Sequence, residues 1–391
     1  MTTWNDALFD QLAHEGDPLA DAVIAEHVAT SPPAPPSELV SSLAHHLVLP
    51  PAARSVPIHR YLSQRPALPK WADKVKLRQS AEFFDENGLM IGSALFCASL
   101  PEAYAGARGA RVLTLTTTMV TDPVRRVYET AQMVLDAMTA GGLDPATGAG
   151  YEDIRRVRLM HAAVRYLVLN DPAVPKTTVP GPYPSWCLAS GVPINQEDLF
   201  GTLMTFTETV FESLDRLGVE YSPEEADSYL HAWCVVGHLL GLRANLLPLT
   251  RDDTREITTA IRRRQNCPSP DGVELSRALL GAMRETVRFP PLRPLPKSMV
   301  RWSVGPDVAV TIGLKRHDPF ALAFDGVAFM MRRFGLLERH NKFLRGLSRH
   351  VGAAALDSFV AAGRTGNRPP FTLPGQLHQQ VSATRARRWR L

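Results

Sequence analysis

Apolar residues recur three and four positions apart through most of this chain, the period of helices that bury one face. Residues 4–29 fit one or two short helices, and a further helix ends at Pro50-Pro51. Helical spacing returns over 80–100 at Phe83, Phe84, Leu89, Leu95 and Phe96. The threonine-rich stretch Arg111 to Val120 alternates weakly, and there alone a strand competes with a helix. Thr121-Asp122-Pro123 supplies a capping side chain, an acid and a first-turn proline, so a helix should run from there to about Thr139 and stop at Gly141-Gly142. Another spans Tyr151 to Leu169 and ends at Asn170-Asp171-Pro172. Asn195, with Glu197 and Asp198 behind it, predicts one long helix ending at Gly218. Ser222-Pro223-Glu224-Glu225 is a capping box that opens a helix closing at Gly241. Further helices fit 252–264, 272–286, 318–333 and 335–362. The fold class predicted is all-α. The punctuation divides the chain into an N-terminal helical cap over 1–79, a helical core over 80–250, C-terminal helices over 251–365 and a loosely held tail over 366–391.

Composition changes this picture little. With 391 residues, 45% hydrophobic and 21% charged, the chain can bury a sizeable core and is ordinary for a globular protein. Its 32 prolines fall mainly between the periodic segments. A net charge of +4 is too mild to imply a nucleic acid partner. The most apolar run, 89–100, is shorter than the ~20 residues a bilayer span needs. The first ten residues carry two acids and no Lys or Arg, so no signal peptide is read there and a cytoplasmic protein is expected.

Candidate chemistry is narrowed by what is missing. Cys97, Cys187, Cys234 and Cys267 are scattered, with neither a CxxC pair nor a CxxCH haem-attachment site. There is no GxGxxG, no GxxxxGK[ST], no HExxH and no GxSxG. Chemistry must therefore come from polar residues set into helices. On the helix 151–169, Ile154, Val157, Met160, Val164, Leu167 and Val168 form an apolar face. Arg158, His161 and Arg165 fall together at its edge, because i−3 and i+4 neighbours share a side of a helix. Two cations beside an imidazole lower its basicity and keep it neutral, as a metal ligand must be. Two arginines one turn from an iron-bound imidazole would also suit the two propionates of a haem. A half-buried histidine beside two surface arginines gives the same spacing, and spacing does not choose between them.

On the preceding helix, Arg126, Glu129, Thr130 and Met133 make one continuous stripe. An inward Glu and Thr beside an Arg could orient bound dioxygen and handle protons, whereas an Arg126–Glu129 surface pair would do nothing. His231 and His238 are seven apart, too far to share one metal, and read as core or interface residues, with Trp233 as packing. Arg262-Arg263-Arg264 reads as a solvated helix end, and the Arg-rich tail from Arg385 to Arg390 as unstructured.

Five segments together resemble the family of rubber oxygenases (latex clearing proteins) and MpaB-type oxygenases. They are Leu95 to Ala105, Arg125 to Thr130, Val157 to Arg165, Val192 to Leu199 and Tyr229 to Gly241. The resemblance spans about 4–290, with the segments in order and at matching spacing. It implies a helical, globin-like core holding a non-covalent haem b. The family's proximal ligand, the His of R-x-x-H-x-x-x-R, falls on His161, and its propionate-contacting arginines fall on Arg158 and Arg165. The distal pattern of rubber oxygenases, R-x-x-K-T, reads Arg126-Val127-Tyr128-Glu129-Thr130 here, with Glu in place of Lys. That Lys closes the resting site in rubber oxygenases, so the resemblance implies a sixth position here that is open or holds water. The family's upstream Glu base has no counterpart, since Arg108 to Thr121 contains no acid. Either Glu129 replaces it or the reaction differs.

The resemblance thus implies a haem-dependent oxygenase or oxidoreductase. Arg126, Glu129 and Thr130 would be catalytic, Arg158, His161 and Arg165 would bind the haem, and His161 would ligate its iron. Its co-substrate would be dioxygen or peroxide, and its substrate an apolar, unsaturated or isoprenoid-like small molecule. No twin-arginine leader is read, so solid polyisoprene outside the cell is not the expected substrate. The rival expectations are a non-catalytic haem or lipid carrier, and a haem-free module that kept only the packing motifs.

Overall fold

The computed structural model describes residues 3–30, 55–115, 123–172, 174–179, 185–287, 289, 292–316, 318 and 324–326, with only the backbone of 123–129. The expected helix ending at Pro50-Pro51, most of the one over 318–333, all of that over 335–362 and the tail lie outside the described residues.

The architecture is all-α, as the periodicity predicted. The helices are α1 (Asp6–Ala13), α2 (Pro18–Thr30), α3 (Val56–Ser63), α4 (Lys74–Ala94), α5 (Leu100–Ala105), α6 (Ala107–Leu115), α7 (Pro123–Met138) and α8 (Ala149–Asn170). After them come α9 (Gln196–Phe206), α10 (Glu208–Leu217), α11 (Pro223–Leu239), α12 (Arg251–Gln265), α13 (Pro270–Thr286) and α14 (Leu295–Thr311). Between α8 and α9 a two-residue parallel pairing joins Lys176–Thr177 to Trp186–Cys187.

Helix α6 resolves the ambiguous stretch in favour of helix as far as Leu115. Its Arg111 and Thr114 both bond the buried Asp271, so tertiary pairing outweighs the weak β preference of Val and Thr. The long helix expected from Asn195 to Gly218 is two helices. Asn195 caps the first as read, in a capping box with Asp198, but the chain breaks at Thr207 (φ −117°, ψ −83°) before resuming as α10. Gly218 then closes α10 in the left-handed conformation, at φ 76°. The Ser222 box opens α11 as predicted. Helix α14 was not among the expected elements, and it carries Pro296 in its first turn, where proline is tolerated. It is kinked at Gly305 (φ 78°), just before Pro306.

The main core is built around α11, which packs along α4. Tyr229, Trp233, Cys234, Val235 and Val236 are almost wholly enclosed there with Phe83, Phe200 and Phe211. Trp4 joins this core edge-on to Phe200, 5.3 Å between ring centroids, so the N-terminal segment is packed into the protein. Between α4 and α5, Leu95–Ser99 forms a π-helical turn, a feature frequent near functional sites. A second core lies between α2, α3 and α8, where Ile24, Ile58, Leu159 and Ala163 are fully buried.

Candidate active site

Helices α7 and α8 pack side by side, and a glycine sets their spacing. A Cβ on Gly150 would lie 2.4 Å from Ala137 Cα and 2.7 Å from the carbonyl carbon of Asp136. The two backbones therefore touch near the start of α8 and the end of α7. This crossing makes neighbours of the two helices that carry the two candidate motifs, Arg126 to Thr130 and Arg158 to Arg165.

Of the expected apolar face of α8, Ile154, Met160, Leu167 and Val168 are buried but Val157 and Val164 only half-buried. Leu159 and Ala163, not read on that face, are fully enclosed because α2 and α3 pack there. His161 is half-buried, and its Nδ1 atom is enclosed. The flanking arginines both turn to the segment that opens α2. Arg158 holds Asp17 with a two-pronged bond, Nε to Oδ2 at 2.5 Å and Nη2 to Oδ1 at 2.8 Å. Arg165 donates from Nε to Asp21 Oδ1 at 2.9 Å and from Nη1 to the carbonyl oxygens of Pro193 and Ile194. Burial opposes the Arg158 cation, but Asp17 outweighs it and raises the group above its ordinary range. Burial also pushes the Asp21 carboxyl up, more than Arg165 lowers it. Where the resemblance implied haem propionates, the guanidinium forks hold the chain's own carboxylates here.

Of the second motif, the side chains of Arg126 and Glu129 lie outside the described residues. The expected inward Thr requires correction, since Thr130 is exposed and Met133 alone of the described stripe is half-buried against the main core. The two other histidines of interest flank Trp71, whose ring meets His231 edge-on at 5.6 Å and His238 at 6.1 Å. His231 is buried, and its Nε2 accepts the Asp73 backbone N–H at 2.8 Å, next to the cap of α4. Burial lowers the basicity of both, helped by Lys76 at His231 and by Arg158 at His238.

The reading of Arg262-Arg263-Arg264 as a solvated end requires correction. Only Arg263 is largely exposed. Arg262 bridges the buried Glu102 and Glu212, and Arg264 binds Glu197 and Asp10. Arg108 completes this seam by holding Glu197 and Asp198. A cavity of about 70 Å³ lies in it, lined by Glu102, Thr209, Thr258 and Arg262 and by no residue of α8. Sequence reasoning missed Asp17, Asp21 and Gly150. The first two stand 141 and 144 residues from the arginines they bind, so no local pattern could pair them.

The half-buried imidazole of His161, set on a helix, is a donor that iron already held by a porphyrin could take. Among the described residues, no three His, Cys, Asp or Glu side chains converge as metal ligands. One imidazole on a rigid helix is what a porphyrin leaves for the protein to supply.

Comparison with known proteins agrees with this architecture. The fold matches a solved latex clearing protein in its closed state with a TM-score of 0.68 at 24% identity, covering 93% of this chain and 94% of that one. A family model for the catalytic domain of the ER-bound oxygenase mpaB/B'/rubber oxygenase matches residues 81–333. The chain belongs to that family. Rubber oxygenase from Streptomyces sp. (strain K30) is 27% identical over an alignment of 275 residues that covers 66% of this chain. The match spans 61% of that relative's length. Among the described residues, no helix is long and apolar enough to cross a membrane.

Proposed function

We propose that this protein is a haem b-dependent oxygenase that acts on an apolar, unsaturated small molecule of isoprenoid type. The observation that carries the reading is the direct packing of α7 on α8, which makes neighbours of the helices bearing the distal-type and proximal-type motifs. Family membership supports it, as does the likeness to a rubber oxygenase.

His161 would hold the iron from α8 through one imidazole nitrogen, on a helix too well packed to let the ring drift. When bound, the haem supplies the redox chemistry that activates dioxygen or peroxide. The chain supplies the rest. Arg126 and Thr130, one turn apart on α7, would hydrogen-bond dioxygen or peroxide, Thr130 from the exposed position it holds here. Glu129, where rubber oxygenases have lysine, would hold or deliver a proton at its carboxylate. Arg158 and Arg165 support His161 from the turns before and after it.

The test is to incubate the haem-loaded protein with short isoprenoid alkenes under dioxygen and analyse the products by mass spectrometry. Carbonyl fragments or oxygenated products, lost in His161→Ala, are expected. Tight haem binding with no turnover of any alkene, by either dioxygen or peroxide, would instead indicate a carrier.

A further inference from the structure

The histidine pattern on α8 is braced from outside the helix by two acids that lie one helical turn apart. Asp17 and Asp21 both come from the start of α2, and they meet arginines that stand two turns apart on α8, one on each side of His161. The Asp17 and Arg165 side chains are only 4% and 5% exposed, so each pair has one partner withdrawn from water, while Arg158 is 18% and Asp21 37% exposed.

The acids are themselves fixed. Asp17 Oδ1 accepts the Ala20 N–H at 3.3 Å, and Asp21 Oδ2 accepts the Asp17 N–H at 3.1 Å, which caps α2 reciprocally. The chain around them is moulded to the pairs. At Gly241 (φ 92°), a Cβ would lie 2.4 Å from Asp17 Oδ2 and 2.8 Å from Arg158 Nε. At Gly16, one would lie 2.8 Å from Asp21 Oδ2. Gln196 ties the same segments together by donating to the carbonyls of Gly16 and Gly241. Ile194, a β-branched residue held at φ 50°, offers its strained carbonyl to Arg165.

A carboxylate arriving at Arg165 would have to displace Asp21 and two backbone carbonyls, and one arriving at Arg158 would meet a fork that Asp17 already fills. We propose that Asp17 and Asp21 are positioning residues for His161. Through Arg158 and Arg165 they lock the stretch of α8 that carries the imidazole, and the arginines serve these two acids rather than the carboxylates of a ligand. The inference deepens the haem reading and rests on it only for its spectroscopic arm.

The experiment titrates haem-free protein with hemin and with hemin dimethyl ester, whose propionates carry no charge, following the Soret band. Arg158→Ala and Arg165→Ala should weaken both porphyrins by the same factor, ~10–100-fold as for other groups that orient a metal ligand. Asp17→Asn and Asp21→Asn should reproduce that loss, and Asp21→Glu, which has room at the surface, should largely restore it. If the arginine effect appears with hemin but vanishes with the ester, the arginines bind propionates and the proposal fails. It fails equally if the Asp→Asn variants bind hemin as tightly as wild type.

If wild type takes up neither porphyrin, the haem reading falls, and urea unfolding still tests the clamp. Asp17→Asn and Arg158→Ala should each lower the midpoint, and the double variant should fall no further than the worse single. Additive losses would overturn the clamp.

Discussion

Replacing Gly150 by alanine tests whether the two helices of the candidate site are in backbone contact. The added methyl would sit 2.4 Å from Ala137 Cα and 2.5 Å from its nitrogen. Carbon atoms pack at about 3.5–4.0 Å, so α7 and α8 must part by about 1 Å. The obstacle is main chain within a helix, which cannot swing aside. Overpacking of this kind costs ~1–3 kcal/mol, and alanine's better helix propensity returns less than ~1 kcal/mol in a first turn. We expect a net loss of about 2 kcal/mol, or roughly 2–4 °C in Tm for a chain of this length.

The control is Gly281→Ala within α13, where a Cβ would meet no atom within 4 Å. There the same substitution should stabilise by ~0.5–1 kcal/mol. Differential scanning calorimetry of both variants reads the contrast directly. If Gly150→Ala melts within about 1 °C of wild type, this close approach is wrong, and with it the argument that Gly150 sets the spacing of the two motifs.

Three further outcomes follow from the same geometry. Arg262→Met should cost about 3 kcal/mol in urea unfolding, the low end for breaking a buried pair, because it strips Glu102 of its cation while Arg262 itself is a third exposed. Burial pushes the Asp153 carboxyl up to about 6, against Arg156 and helped by Asp136 across the α7–α8 crossing. Its folded value lies above the unfolded 3.8, so its contribution is fully present below about pH 4 and is lost as pH rises through 6. Asp153→Asn should therefore gain about 1–3 kcal/mol relative to wild type between pH 4 and 7, and an unchanged difference across that range would refute the assignment. Glu129→Gln should keep haem but slow any proton-dependent step by ~10²–10⁴-fold, while Glu129→Lys should shift a high-spin ferric spectrum toward low-spin. Full activity in Glu129→Gln would reduce that residue to a partner for Arg126.

Local chemistry made much of the fold legible. The Asn195 cap, the Ser222 capping box, the Gly218 stop and the helix of His161 all depend on residues within a turn or two of each other. The break at Thr207 carries no Gly or Pro to announce it, and α14 hides behind prolines that its first turn tolerates. The arginine triplet was misread because its acids, Glu102, Glu212, Glu197 and Asp10, lie 50 to 254 residues away. The site divides the same way. His161 and its flanking arginines are a pattern within one helix, whereas Asp17 and Asp21 become their partners only when α2 docks on α8.

The central claim is that His161 holds a haem, and a visible spectrum tests it most directly. Purified wild type and the His161→Ala, His231→Ala and His238→Ala variants should be compared, oxidised and dithionite-reduced, before and after reconstitution with hemin. The account predicts about one non-covalent haem per chain, extractable into acidified organic solvent because no CxxCH is present. The Soret band should be lost or labile in His161→Ala and retained in the other two variants. A wild-type protein that shows no Soret band even after reconstitution, or a His161→Ala variant that keeps it unchanged, would contradict the account.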